Sequence, residues 1–168
     1  MITISPAFIS NYLLGAFDDL VIINSWGETS FFYNPKNLSP RGTYFCTIKE
    51  NDGENDKASA LHRDKVFRFN FGITRPTFLK LFGTVPTRPP KGGVINGSYD
   101  FTQLDTLCPH PVYGWMCWVA IINPSEQSFK ELESLISESY RLVLQKHQKK
   151  HKSCLRKEHE LTNKCSEK

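Results

Sequence analysis

The stretch CPHPVYGWMCWVAIINPSEQSFKELESLISESYRLV, residues 108–143, decides the fold. Pro109-His110-Pro111 forces extended backbone, and the β-rich run from Trp115 to Ile122 then reads as a strand. Asn123-Pro124 breaks it, and Ser125 or Ser128 supplies a helix cap. Beyond the cap, Phe129, Leu132, Ile136, Tyr140 and Val143 recur at helical spacing and make one apolar stripe. A strand running straight into an amphipathic helix calls for a sheet with that helix laid on its face.

The upstream sequence supplies the rest of the sheet. VFRFNFGI, residues 66–73, alternates: Val66, Arg68, Asn70 and Gly72 point one way, and Phe67, Phe69, Phe71 and Ile73 the other. One face is core; the other is polar enough to be a site or merely wet. Thr74 caps a helix from Arg75 to Phe82, and Gly83 ends it. Near the start, Ser5-Pro6 opens a helix to about Phe17, carried by Phe8, Ile9, Tyr12 and Leu13. Residues 20–26, 29–33 and 43–49 read as strands, the first two joined by a hairpin at Gly27-Glu28. NPKNLSPRG (34–42) is turn chemistry, ENDGENDK (50–57) an exposed polar loop, and residues 84–98 a Pro/Gly-rich loop. A short helix is expected over Phe101 to Leu107. Strands with helices at the ends, without βαβ alternation, give an α+β fold: an antiparallel sheet of about five strands with helices packed on one face. The domain occupies residues 1–144, and residues 145–168 are a basic tail, a helix extension or disordered.

Charge separates the two parts. Residues 1–144 carry 13 Lys/Arg against 14 Asp/Glu, and residues 145–168 carry 8 against 3. The basic pI therefore belongs to the tail, and the near-neutral domain limits any nucleic-acid argument, because a phosphate-binding fold usually concentrates positive charge on one face of the domain itself. With 39% hydrophobic residues in 168, the chain can bury a core without staples. Five cysteines without framework spacing, no basic residue before Lys36 and no apolar run of membrane length lead us to expect a cytoplasmic protein that does not enter the membrane.

Candidate chemistry gathers at a few places. His110, fixed between prolines, can be a general base or recognition group, or its ring can simply lock the turn. Arg68 and Asn70, with Arg75 at a helix start and the His110–Tyr113 turn, can converge on a small anion, with Tyr113 and Trp115 as a stacking wall. A buried Arg68 paired to Asp64 or Asp105 would instead be structural. His62-Arg63-Asp64 could join that surface or be an ordinary loop. Cys108 beside His110 is a conceivable nucleophile, but Pro109 interrupts the pair, and both Cys108 and Cys117 read as small buried hydrophobes. His151, Cys154, His159 and Cys165 approach a zinc-knuckle rhythm but lack the glycines and aromatic residues of such a site, so no metal is assigned. No P-loop, G-x-G-x-x-G, G-x-S-x-G or H-E-x-x-H is present, and no cofactor is expected. The reading is a non-catalytic small-molecule or anion-binding or regulatory domain. Its alternatives are weak nucleic-acid binding through Lys146, Lys149, Lys150, Lys152, Arg156 and Lys157, or an enzyme built around His110.

Two blocks, HRDKVFRFNFGI-TRPTF and PHPVYGWMCWVAIINPS, resemble a bacterial family known only as a domain of unknown function, itself similar to the MmcQ/YjbR proteins. The likeness runs, with gaps, from the first helix to about Lys150. It implies a compact two-layer α+β domain with a curved antiparallel sheet. A DNA-binding role has been suggested for that group from its fold, and the resemblance brings no catalytic residues to this chain.

Overall fold

The computed structural model describes the backbone of residues 3–165 and the side chains of residues 3–150, 152 and 153. Helix α1 (Pro6–Ala16) is followed by strands β1 (Leu20–Ser25), β2 (Glu28–Tyr33), β3 (Thr43–Lys49) and β4 (Arg68–Gly72). Helix α2 (Arg75–Phe82), a two-residue β5 (Cys108–Pro109), β6 (Trp118–Ile122) and the long α3 (Glu126–Cys165) complete the chain. The strands form one sheet in the order β1-β2-β3-β4-β6-β5, with every neighbouring pair antiparallel. The sheet thus has six strands where about five were expected, the sixth being the short segment that Pro109 and Pro111 hold extended.

All three helices share one face. Ser5 Oγ accepts the Phe8 N–H at 3.1 Å to start α1, and Thr74 Oγ1 accepts from Thr77 N–H to start α2. For α3 the cap is Ser125, whose Oγ accepts the Ser128 N–H at 3.2 Å. The α3 stripe lands as its spacing requires: Phe129, Leu132, Ile136 and Val143 are buried in a core with Ile9, Leu13, Phe45, Phe69, Phe71 and Phe78. Tyr140 closes the core's edge, its ring against Phe17 and Phe45 and its hydroxyl donating to Asp18 O at 2.9 Å. Glu138 ties α3 to α2 by accepting from the Thr74 N–H and the Thr77 hydroxyl.

Several expectations are corrected. Phe101 to Leu107 is turn and bridge, not helix: Leu104 bridges Ile122, and the Asp105 N–H donates to Ile122 O, so the sheet edge claims the backbone that a helix would need. Gly114–Met116 is one 3-10 turn, and left-handed Cys117 (φ 60) delays the last strand to Trp118. The loop over 50–57 is exposed only in part, because Asp56 turns inward. The first hairpin turns at Trp26 (φ 53) and Gly27 (φ 70), one residue earlier than read, in the doubly left-handed geometry of a two-residue hairpin. The left-handed φ at Gly27 favours glycine there, and a Cβ would also displace the Asn51 side chain. Left-handed Trp26 costs roughly 1–2 kcal/mol. Helix α3 continues past Leu144 to Cys165, and no helix among the described residues is long and apolar enough to cross a membrane.

Candidate binding site on the open face of the sheet

The alternation of β4 sorts its side chains as the sequence implies, with Phe69 and Phe71 toward the helices and Arg68 and Asn70 toward the opposite, helix-free face. That second face is not wet. Arg68 and Asn70 are each 1% exposed, roofed by the loop before β4 and by the His110 turn. A buried guanidinium must find acceptors for its N–H groups, and this one does. Nη1 and Nη2 form a bidentate pair with Asp56 at 3.0 and 2.5 Å. Nη1 also donates to Ser59 Oγ at 2.7 Å, and Nε donates to Asn70 Oδ1 at 2.7 Å. Asn70 Nδ2 in turn donates to Thr47 Oγ1 at 2.9 Å. The acid is thus Asp56, not the Asp64 or Asp105 considered from sequence. Burial pushes the Asp56 carboxyl up, but the hydrogen bonds and charge of Arg68 outweigh it and hold the group below the usual carboxylate range.

His110 lies against this network at 3% exposure. Its Nδ1 accepts the N–H groups of Val112 and Tyr113 at 3.0 and 3.1 Å, and its Nε2 lies 3.2 Å from Arg68 Nη2, so donors face both ring nitrogens. A second ring proton would have to sit at a nitrogen that faces a donor. Burial lowers the ring's pKa well below its ordinary value, and the adjacent Arg68 charge lowers it further. No carboxylate hydrogen-bonds the ring; Asp56 is engaged by Arg68. In this geometry His110 locks its turn, and taking up a proton is disfavoured.

Above the network a cavity of about 290 Å³ opens to solvent. Thr47, Asp56 and His110 form its floor. Tyr44 and Trp118, with ring centroids 5.3 Å apart, make one wall, and Tyr113 and Met116, each about half exposed, stand at the mouth. Lys49 Nζ is 3.2 Å from Glu28 Oε2, and the Tyr44 hydroxyl donates to Glu28 Oε1 at 3.1 Å. Burial and the Glu28 charge raise the Tyr44 phenol's pKa, so the hydroxyl keeps its proton.

The structure therefore brings Arg68, Asn70, His110 and Tyr113 together and leaves two predicted partners elsewhere. Arg75 opens α2 at the far end of β4 and is exposed. Trp115 turns outward to carry the Arg88 guanidinium over its ring, 4.9 Å from the centroid. Sequence reasoning missed Asp56, Ser59, Thr47, Tyr44, Glu28, Lys49, Met116 and Trp118. The legible signal was an acidic loop directly preceding an arginine on a core strand. His62 is exposed and bonded to Asp52, while Arg63 donates to the carbonyls of Ser59, Ala60 and Thr102, so this loop braces the fold beside a separate groove. Cys117 is buried; the half-buried Cys108 has its thiol pushed up to about 11 by burial, unlike an activated nucleophile. Lys146, Lys149, Lys150 and Lys152 are exposed on α3. The side chains of Arg156 and Lys157, and the His151, Cys154, His159 and Cys165 zinc pattern, lie outside the described residues.

Residues 4–152 match the family of unknown function DUF6194, and the chain belongs to that family. No curated protein and no solved structure matches it.

Proposed function

We propose that this chain, from a family whose function is unknown, is a non-catalytic binding module that holds a small, ring-bearing polar molecule in the open-face cavity. The observation carrying this reading is the pairing of a rigid, hydrogen-bonded floor with aromatic walls. Arg68 is held by four hydrogen bonds, so the floor is preorganised, and Tyr44, Trp118 and Tyr113 offer rings on which a planar group can stack. The volume suits a ligand of one or two rings. The charges favour a polar ring over a bare anion, because Arg68 is matched by Asp56 and Lys49 by Glu28. A small anion would have to draw Lys49 away from its partner. His110 with both nitrogens occupied and Cys108 with a raised pKa support binding without catalysis. Kinship with the MmcQ/YjbR proteins belongs to this proposal and assigns no residue a role.

A thermal-shift screen of nucleobases, nucleosides and aromatic metabolites checks it. We expect hits that stabilise the wild type and lose their effect in Trp118→Ala and Tyr113→Ala. Hits that stabilise all three proteins equally would place binding outside this cavity.

A second reading rests on the exposed lysines of α3. Lys150 and His147 line a groove of about 470 Å³ with Arg41 from the β2–β3 loop, so the tail's positive charge continues onto the domain. Such a strip supports weak, salt-sensitive and sequence-independent association with nucleic acid.

A further inference from the structure

Strand β1 is an open edge. Among the described residues it pairs only with β2, and the edge at the other end of the sheet is the two-residue β5. Natural sheets blunt a free edge with lysine, proline, a bulge or a covering segment. β1, reading LVIINS, has no charge and no proline, and its register with β2 is regular from Leu20↔Tyr33 to Ser25↔Glu28. Ile22 and Ile23 are 38% and 36% exposed.

The hydrogen-bond parity of this edge is determined. The Asn34 N–H donates to Asp19 O at 2.9 Å, so residues 19, 21, 23 and 25 bond inward to β2. Leu20, Ile22 and Asn24 then direct their N–H and C=O groups outward. In an antiparallel pair of identical strands the outward groups meet in register when Ile22 faces Ile22. That register sets Val21 opposite Ile23, twice, on the open face and Leu20 opposite Asn24 on the helix face. Ile22, Val21 and Ile23 each gain an apolar partner, and no like charges meet within the strand.

Trp26 adds an independent observation. It is 96% exposed, at a left-handed position where Asn, Asp or Gly would be relaxed, on a tip tied down by the Glu50 N–H donating to Gly27 O at 2.9 Å. An aromatic ring held rigidly in water at a strained position is the form of an interface anchor. The same register carries it to the Asp18 segment of the second copy, next to the half-buried Phe17 ring.

We propose that β1 is a self-association edge: two copies pair antiparallel about a two-fold axis at Ile22, joining their sheets into one, with each Trp26 packing on the other copy. The closed, isologous arrangement leaves neither β1 edge free.

Analytical ultracentrifugation of the full chain tests this, with thermal melting as the control for folding. The wild type is expected to sediment as a dimer. Ile22→Lys should be a folded monomer, because it sets two ammonium groups face to face, and Trp26→Ser should weaken dimerisation on the order of tenfold or more. Should Ile22→Lys fail to fold, Ile22→Cys in a Cys154→Ser, Cys165→Ser background decides the register. Mild oxidation should cross-link it, whereas Asn24→Cys, far from its symmetry mate, should not. A wild type that stays monomeric at every concentration reached overturns the proposal. So does a dimer that survives Ile22→Lys intact, or equal cross-linking at both cysteine positions.

Discussion

Arg68 shows how a charged residue comes to sit at 1% exposure: four hydrogen bonds to the oxygens of Asp56, Ser59 and Asn70 hold its guanidinium. Removing it strands a buried carboxylate and the Asn70 amide oxygen, so Arg68→Ala should cost roughly 3–5 kcal/mol in chemical denaturation. Asp56→Ala should cost a similar amount, and the double mutant less than the sum, since the two losses share one interaction. His110 makes stability depend on pH in a definite direction. Its folded pKa lies well below the ordinary 6.5, so below that value the unfolded chain takes up a proton that the folded chain refuses. Stability should therefore fall as pH drops below about 6.5, at up to about 1.4 kcal/mol per pH unit from this one group. Asp56, whose folded pKa lies below the ordinary 3.8, contributes stability that is complete above that value and is lost as pH falls further. Urea midpoints from pH 7.5 to 5 check the histidine limb. An unchanged slope in His110→Gln would sink the assignment.

At the scale of elements, α3 and β4 are the most legible parts of the chain because each carries one unambiguous period. The α3 stripe is core, and Ile136, at 0% exposure beneath the sheet, is its centre. Ile136→Asp should abolish cooperative unfolding, as it buries a charge with no partner. Ile136→Ala should instead retain the fold at a cost of about 2–5 kcal/mol. A cooperatively melting Ile136→Asp protein would show that the stripe is not the core. The Phe101–Leu107 segment was illegible for the opposite reason. Its local pattern permits a helix, and only the end of β6 beyond β5, at Ile122, settles that Leu104 and Asp105 bond there.

For the whole molecule, the charge asymmetry along the chain is a prediction about separable parts. The tail beyond Leu144 holds all of the excess positive charge and, within the described side chains, no core residue. A chain ending at residue 144 should melt cooperatively, as the full chain should, and lose any association with nucleic acid seen at low salt. Gel-shift assays across a salt series, with circular dichroism on both proteins, would measure both. Equal binding by the truncated chain would move that activity to the sheet.

The sequence by itself determined the α+β class, helices α1, α2 and α3 with the Ser5 and Thr74 caps, the two faces of β4 and the charged tail. Each of these rests on local period, cap chemistry or composition, which act within a few residues of chain. Tertiary structure alone decided the site. Asp56 and Ser59 meet Arg68 because a loop folds back over β4, and Tyr44 meets Trp118 because β3, β4 and β6 lie side by side. Arg75 and Trp115, near His110 and Arg68 in the pattern, are carried away by the direction of a helix start and a 3-10 turn. Which groups converge depends on strand order and loop path, and those are set by packing across the whole chain.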